Sequence, residues 1–298
     1  MSESLRGKTV LITGAARGIG AATARLLHSQ GAKLVLTDID EQPLAALADE
    51  MGSADDVLTM TCDVCDLGAM EDAVAQAVDR FGELDVVLAN AGIASYGSVL
   101  EVDPATFRRV IDINVIGVFH TVRAALPSLI ESKGYVLVVS SMAAFGAMPG
   151  LAAYNASKAG SEHFANALRL EVNHRGVGVG VAHMSWIDTP LVQDAKQDSD
   201  AFRRMVAALP GPLSKTTSVE KCAARFVKGI AGRKRHVYVP GWVGAVAQAR
   251  NVVNSPVGER DALKFTPELL PLMDEEVRRL GRSTSARNVA TESRSVEP

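Results

Sequence analysis

Two side chains near the middle of the chain could together carry out acid–base chemistry on an oxygen atom. Tyr154 and Lys158 stand four residues apart in a segment with helical periodicity, so they share one face of the predicted helix. A phenol has an unperturbed pKa of about 10 and is a poor base at neutral pH. Because an adjacent ammonium favours the phenolate, we expect Lys158 to lower the pKa of Tyr154, which makes Tyr154 a candidate general acid or base.

A glycine-rich turn near the N-terminus could bind phosphate. Its sequence is Gly14-Ala15-Ala16-Arg17-Gly18-Ile19-Gly20, and it lies between an apolar run and a helical pattern. Glycines permit a tight turn, a close approach of the backbone to a diphosphate, and close packing of the helix on the strand. The helix N-terminus adds free N–H groups and the positive end of its dipole. The context predicts a dinucleotide site, whereas glycine for helix packing alone is the structural alternative.

A carboxylate at the end of the second apolar run bears on which dinucleotide binds. Asp38 follows Gly14 by 24 residues (38 − 14). A carboxylate here accepts hydrogen bonds from the adenosine ribose and repels a 2′-phosphate, so we expect NAD and not NADP. The alternative is that Asp38 has a structural role and caps the following helix. Arg17 is a signal in the other direction, because a guanidinium could hold a 2′-phosphate.

The elements that must position these residues alternate along the chain. Short apolar runs without polar alternation are typical of strands covered by helices on both faces. They are separated by amphipathic helical segments, which predicts one α/β domain with a doubly wound, parallel seven-stranded sheet. The predicted strands are residues 10–13, 34–37, 57–61, 86–89, 135–140, 177–183 and 236–239, and the main helices are 18–29, 42–51, 67–81, 104–130 and 153–174.

Composition excludes several classes of protein. The 298 residues carry a formal net charge of −3 and are 47% hydrophobic, which excludes a disordered chain and gives no basic footprint for nucleic acid. Three cysteines cannot form a disulfide framework, and the Cys62–Cys65 spacing has no second pair to complete a metal site. We expect no metal, and a cytoplasmic protein without a signal peptide or an uninterrupted apolar run of membrane-spanning length.

Six motifs in order resemble the short-chain dehydrogenase/reductase family over residues 5–241. They are the G-x-x-x-G-x-G turn, Asp63 after the third run, Asn90-Ala91-Gly92 after the fourth, Asn114, Ser141 after the fifth, and Tyr154 with Lys158. The resemblance implies that Tyr154 exchanges a proton with the substrate oxygen and that Lys158 also holds the nicotinamide ribose. It implies that Ser141, with Ser140 as the neighbouring alternative, donates a hydrogen bond to the reacting oxygen, and that Asn114 anchors a proton-relaying water chain.

The resemblance also implies a set of dinucleotide contacts. Asp63 and Val64 are expected at the adenine, and Asn90, Ala91 and Gly92 beneath the adenosine ribose. Ile187 and Thr189 are expected at the nicotinamide carboxamide. This chain departs from the family pattern after the sixth run, where Met184-Ser185 replaces the usual Pro-Gly and alters the backbone beside the nicotinamide.

The segments after residue 190 predict an apolar pocket and a C-terminal addition. Residues 190–218 occupy the place of the substrate lid, and their apolar stripe closes over a substrate or packs on the core. Residues 1–240 are predicted to form the domain, and residues 241–281 a helical extension that covers a substrate mouth or a neighbouring subunit. Residues 282–298 are predicted to be a frayed tail. The lid stripe is Phe202, Met205, Val206 and Leu209, the expected pocket residues are Met142, Met148, Leu151 and Trp186, and the extension's stripe is Leu270, Met273, Val277 and Leu280.

The sequence therefore predicts an NAD-dependent alcohol dehydrogenase or ketone reductase acting on an apolar small molecule. An NADP-dependent reductase of lipid or polyketide type is the alternative within enzymes, and a non-catalytic NAD-sensing regulator the alternative outside them. By resemblance we expect a homo-oligomer, a tetramer or a dimer, that assembles through helices 104–130 and 153–174.

Overall fold

The computed structural model describes residues 4–52 and 55–295, and in them seven parallel strands form one sheet. The strand order is β3-β2-β1-β4-β5-β6-β7, and both halves wind outward from β1, which confirms the predicted fold class. The strand boundaries agree with prediction to within about one residue. The strands are β1 (Thr9–Thr13), β2 (Lys33–Asp38), β3 (Val57–Thr61), β4 (Val86–Ala89), β5 (Tyr135–Val139), β6 (Gly178–Met184) and β7 (His236–Val239).

Helices cover both faces of the sheet, which explains why the inner strands are continuously apolar. One face packs against α1 (Gly18–Ser29), α2 (Glu41–Met51) and α9 (Val219–Ala231). The other packs against α3 (Leu67–Phe81), α5 (Gly117–Glu131) and α6 (Ala152–Val172). Every residue of β1, β4 and β5 is buried as a result.

The single helix predicted over 104–130 is interrupted by a π-helical turn. The structure has α4 (Pro104–Ile111), the turn Asp112–Ile116, and then α5. π-Turns inside helices frequently mark functional sites, and this one carries Asn114. The whole stretch Pro104–Glu131 has the length and apolar composition of a membrane span, but half of its most apolar window is buried inside the molecule, as in the core helices of soluble proteins.

The lid and the C-terminal extension share a third apolar cluster. α7 (Pro190–Asp198) and α8 (Asp200–Ala208) follow β6, and α12 (Arg260–Leu280) packs on α8. α12 begins at Arg260 and accommodates Pro267 and Pro271 within its length. The remaining helices are α10 (Val243–Gln248), α11 (Arg250–Val253) and α13 (Ala286–Ser295). The lid stripe packs in this cluster through Phe202, Met205 and Val206, beside Leu269, Met273 and Val277 of α12.

The chain after Gly281 differs from the frayed end predicted from sequence. Ser283, Thr284 and Ser285 are buried, Thr284 bridges Ser95, and α13 follows. The physical reason is that this polar segment exchanges hydrogen bonds with the loop after β4, which supplies the partners that composition alone does not show. Residues 296–298 of the predicted tail lie outside the described residues.

Candidate active site

The glycine-rich turn is held in place by neighbours on three strands. Gly14 has a φ of +63°, and a Cβ on Gly20 would lie 2.3 Å from the Gly14 carbonyl oxygen, so the turn excludes side chains at both positions. Asn90 Nδ2 donates to the carbonyls of Thr13 (2.9 Å) and Gly14 (3.0 Å). The Ala15 N–H donates to the Thr37 carbonyl (3.1 Å). The N-terminus of α1 therefore presents backbone without side chains, and such a surface can bind a diphosphate.

Asp38 lies at the end of β2 with both carboxylate oxygens engaged. Oδ2 accepts from the Ala16 N–H (2.9 Å) and Oδ1 from the Asp40 N–H (3.1 Å). Burial raises the pKa of Asp38, while these two N–H groups oppose the rise. Arg17, the sequence signal for a 2′-phosphate, pairs with Asp40. Its guanidinium is therefore directed to a neighbouring carboxylate.

The part of the site where adenine is expected, at Asp63 and Val64, also contains Arg109, which the sequence analysis missed. Asp63 Oδ1 accepts from the Cys65 N–H (2.8 Å), and Oδ2 pairs with Arg109 Nη2 (3.2 Å). Val64 is buried against Gly117, where a Cβ would lie 2.5 Å from Val64 Cγ2. Burial raises the pKa of the nearby thiols, Cys62 to about 11 and Cys65 to about 12. High thiol pKa values do not favour redox chemistry at this C-x-x-C.

Lys158 is buried, and its ammonium donates a hydrogen bond to a backbone carbonyl. Its Nζ donates to the Val139 carbonyl (3.0 Å), and among the described residues no carboxylate pairs with it. Burial lowers the pKa of Lys158 to about 8. A Cβ on Gly92 would lie 3.3 Å from this Nζ and 3.1 Å from Asn114 Oδ1, so glycine leaves the space that both side chains use. The remaining donors of the ammonium are available to a ligand.

Asn114 connects the π-turn to the strand end and to α6. Its Oδ1 accepts from the Ile93 N–H (2.9 Å), and its Nδ2 donates to the Ile93 carbonyl and to Ser157 Oγ (both 2.9 Å). The side chain is fully buried and does not line the cavity described below. Asn114 thus fixes the loop after β4 against the helix that carries Tyr154 and Lys158.

Tyr154 and Ser141 lie together at the end of β5. Burial raises the pKa of Tyr154, and a hydrogen bond from the Ser141 side chain opposes the rise. The expectation that Lys158 lowers this pKa is wrong for the structure as it stands, because the ammonium is turned toward the Val139 carbonyl. Ser140 is fully buried and donates to the Lys158 carbonyl (2.8 Å). Of the two serines, Ser141 is the one beside the phenol.

The loop after β6 is fixed despite the replacement of Pro-Gly by Met184-Ser185. The Ser185 N–H donates to the Val239 carbonyl (2.9 Å) and the Thr217 N–H to the Trp186 carbonyl (2.8 Å). Ile187 and Thr189 are both buried and line the cavity, and Thr189 directly precedes α7. Main-chain pairing to β7 and to Thr217 therefore replaces the rigidity of proline.

These residues meet in one cavity of about 560 Å³ at the carboxyl ends of the strands. It contains all the predicted dinucleotide and catalytic residues except Gly20 and Asn114, which lie behind its wall. The far end is apolar, with Met142, Met148, Leu151, Trp186 and Phe202. The extension predicted to cover a substrate mouth or a neighbouring subunit contributes Val246, Val252, Val253, Gly258, Asp261 and Ala262 to the lining. The sequence analysis missed the segment after Gly281, which contributes Thr284, Ser285, Arg287 and Asn288.

A parallel doubly wound sheet with a glycine turn and a buried Tyr–Lys pair defines a dinucleotide-binding enzyme of the dehydrogenase class, and comparison with known proteins agrees. Residues 8–200 match the family described as short chain dehydrogenase. An uncharacterized oxidoreductase of Mycobacterium tuberculosis is 32% identical over 264 residues, covering 77% of this chain and 95% of the relative. The trans-4-hydroxycyclohexanecarboxylate dehydrogenase of Sinomonas cyclohexanicum is 33% identical over 204 residues, covering 66% and 79%.

The structural comparison adds a relative with a bound dinucleotide. A short chain dehydrogenase from Mycobacterium paratuberculosis, solved bound to NAD, has a TM-score of 0.70 and 26% identity, covering 79% of this chain and 97% of that one. This chain therefore belongs to the short-chain dehydrogenase family, as its motifs predicted, and is an oxidoreductase of that family. A nicotinamide dinucleotide fits the residues present: the side-chain-free turn at Gly14 and Gly20, the Asp38 carboxylate and the buried Lys158 ammonium suit its diphosphate and ribose groups.

Proposed function

We propose that this protein transfers a hydride between NAD(H) and an apolar alcohol or ketone, with Tyr154 as the general acid or base. The observation that carries the proposal is the meeting of Tyr154, Ser141 and Lys158 in one cavity that also contains the glycine-rich turn. A regulator that only binds the dinucleotide has no need for a buried ammonium beside a phenol. Burying an ammonium without a carboxylate costs free energy, so its retention favours a catalytic use.

The roles of the side chains follow from their positions. When bound, the nicotinamide ring supplies the hydride acceptor or donor. Tyr154 takes the hydroxyl proton in oxidation and returns it to the carbonyl oxygen in reduction. Ser141 donates a hydrogen bond to the same oxygen, where negative charge develops. Lys158 holds ribose hydroxyls, and Asn114 positions α6 and supports proton relay.

Asp38 supports NAD over NADP as the dinucleotide. Both carboxylate oxygens are held by backbone N–H groups at the end of β2, so the charge is fixed where the adenosine ribose is expected. Arg17 is occupied by Asp40. The NAD bound to the Mycobacterium paratuberculosis relative points the same way.

The apolar end of the cavity supports a hydrophobic substrate of moderate size. Its side chains are those of Met142, Met148, Leu151, Trp186 and Phe202, which offer hydrophobic contacts and a limited number of polar ones. Trp186 Nε1 and Ser95 Oγ are buried without a hydrogen-bond partner among the described residues. A substrate with a polar group distant from its reacting carbon can satisfy these atoms. A ring that carries a carboxylate opposite its hydroxyl, as in the substrate named for the Sinomonas relative, has this form.

The test is a panel of secondary alcohols, from short aliphatic to cyclic and steroid-like, incubated with NAD⁺ or with NADP⁺ and followed by absorbance of the reduced dinucleotide. We expect turnover with cyclic apolar alcohols and NAD⁺. Turnover with NADP⁺ alone contradicts the assignment of Asp38 and favours the reductase alternative. Binding of NADH without turnover of any alcohol, and of any ketone in the reverse direction, contradicts the enzymatic proposal.

Assembly and location are proposed with the function. Exposed apolar side chains on α4, α5 and α6, namely Phe107, Phe119 and Leu170, support a homo-oligomer that buries these helices. Sedimentation velocity tests this, and a monomer at micromolar concentration contradicts it. The near-neutral charge and the absence of a disulfide framework support a cytoplasmic location, without nucleic acid or membrane as partner.

A further inference from the structure

We propose that Arg287, carried by the C-terminal arm and held beside the cavity by Asp194 of α7, is a phosphate-binding residue of the dinucleotide site. The C-terminal arm is defined here as residues 282–290. The proposal rests on the dinucleotide binding proposed above, and it assigns part of that site to a segment outside the family match at residues 8–200.

The C-terminal arm is fixed beside the cavity by hydrogen bonds at its base. The Tyr96 N–H donates to the Ser283 carbonyl (2.8 Å), and Thr284 Oγ1 donates to the Ala94 carbonyl (2.8 Å). Arg282 forms a two-point pair with Asp198 at the end of α7, with N–O distances of 2.6 and 2.7 Å. Bidentate arginine–carboxylate pairs hold direction as well as distance. The arm is therefore tied to the loop after β4 and to the lid.

Arg287 contacts a carboxylate on α7 and lies within the electrostatic influence of a second one in the turn after β2. Its Nε and Nη2 contact Asp194 on α7 at 3.0 and 3.3 Å. The Asp194 hydrogen bond raises the pKa of Arg287, burial opposes it, and the charge of Asp40 raises it further. Asp40 lies in the turn after β2 and pairs with Arg17 of the glycine-rich turn. Arg287 thus reaches from the α7 side toward the side where the dinucleotide's adenosine half is expected.

The chemistry of this position suits an anion with two phosphates. A guanidinium presents a planar set of donors that matches phosphate oxygens, and it stays charged at all relevant pH values. The other arginines that line the cavity within the described part of the chain, Arg17 and Arg109, are also paired with carboxylates but are less exposed, at 32% and 22%. Arg287 is 42% exposed, so a phosphate can approach it without a large desolvation cost, while Asp194 keeps it directed into the cleft. The diphosphate is therefore the group we assign to it.

The closing position of the C-terminal arm predicts slow dinucleotide release. Because the Arg287–Asp194 contact holds the C-terminal arm on α7 beside the cavity, we expect a bound dinucleotide to leave when the arm moves away. Loss of the guanidinium should therefore raise the dissociation rate more than it lowers the association rate.

The experiment measures NADH binding to Arg287→Ala by nucleotide fluorescence and NADH release by stopped-flow displacement, both without substrate. A lost charge-assisted hydrogen bond predicts an increase of about tenfold in Kd and in dissociation rate. ADP affinity should fall by a similar factor, while adenosine affinity stays unchanged, and Arg287→Lys should restore part of the loss. The matched control is Arg278→Ala, whose side chain pairs with Glu101 (2.6 Å) and does not line the cavity.

Three results overturn the proposal: unchanged NADH affinity in Arg287→Ala, an equal loss in Arg278→Ala, or a loss confined to NADPH. The last of these would assign Arg287 to a 2′-phosphate and not to the diphosphate. Because binding is measured without turnover, failure of the proposed catalytic function is distinguishable. If NADH binding depends on Arg287 but the protein turns over no substrate, the role of Arg287 is supported and the proposed reaction fails. If the enzyme is active and its NADH binding does not depend on Arg287, the role of Arg287 fails and the proposed reaction is unaffected.

Discussion

The ammonium of Lys158 lies 5.6 Å from the ring centroid of Tyr154, on the same face of α6, and donates to the Val139 carbonyl. In this arrangement burial dominates both groups: it raises the pKa of the phenol and lowers that of the amine. The pair is therefore prepared for a ligand with hydroxyl groups, which can engage the ammonium near the phenol. The site carries a stability cost that catalysis explains.

The first prediction concerns that cost. The pKa of Lys158 falls from 10.5 to about 8, so between these values the unfolded chain binds more protons, and stability rises with pH across this window. Below pH 8 the folded protein carries a buried ammonium at a cost of up to about 3 kcal/mol. Lys158→Met should therefore raise the free energy of unfolding at pH 7.

The measurement is urea denaturation of both proteins at pH 7 and at pH 10. The advantage of Lys158→Met should shrink at the higher pH, because the wild-type lysine is then neutral. An advantage that is equal at both values, or a less stable variant at pH 7, would show that burial does not govern this amine.

The second prediction concerns dinucleotide choice. Asp38→Asn keeps the shape of the side chain and removes its charge at the end of β2. NADH affinity should fall and NADPH affinity should rise, each by about tenfold, since one hydrogen-bond acceptor and one repulsion are lost. Fluorescence titration with both nucleotides measures the change, and Asp49→Asn, exposed on α2, is the matched control. An unchanged NADH to NADPH ratio would contradict the role given to Asp38.

The third prediction concerns the lid. Glu276 of α12 is buried and accepts from Ser199 Oγ (2.5 Å) and from the N–H groups of Asp200 (2.9 Å) and Ala201 (3.3 Å). It thereby caps the N-terminus of α8, a helix that carries cavity residue Phe202. Glu276→Ala leaves these donors buried, so we expect a loss of about 1–3 kcal/mol in stability.

Substrate binding should respond more than the chemical step, because Glu276 acts through the lid. Steady-state kinetics should show a raised KM for the alcohol with kcat changed less. The adjacent exposed residue supplies the control, since Glu275→Ala should leave stability and KM as they are. A loss in kcat at constant KM would argue against lid positioning.

The sequence predicted the sheet and the dinucleotide turn well because their determinants are local. Continuous apolar runs require burial on both faces. Within the turn, Gly14 and Gly18 have positive φ and a Cβ on Gly20 would lie 2.3 Å from the Gly14 carbonyl oxygen, so glycine is required by the local backbone. Asn114 was singled out by the family resemblance and not by a local pattern: its partners Ile93 and Ser157 lie 21 and 43 residues away, and the π-turn that carries it was not predicted. In the strands and in the glycine-rich turn, the sequence pattern and the local backbone conformation therefore correspond directly.

Other features depend on contacts between distant segments and had no sequence signal. The capping of α8 by Glu276 joins residues 77 apart, and the Arg282–Asp198 pair joins residues 84 apart. The pKa of Tyr154 was predicted in the wrong direction because spacing shows that Lys158 shares its face but not where the Nζ turns. Polar composition after Gly281 indicated fraying, whereas that segment is fixed by a hydrogen bond from Thr284 Oγ1 to the Ala94 carbonyl and one from the Tyr96 N–H to the Ser283 carbonyl.

The most direct test of the account is Tyr154→Phe, assayed with the best alcohol of the panel and with NADH binding measured in parallel. The substitution removes only the hydroxyl, so NADH affinity should stay within about twofold, while turnover falls by about 10²–10⁴, the usual contribution of a general acid or base. Turnover near the wild-type level with NADH still bound would contradict the assignment of Tyr154 and, with it, the proposed reaction.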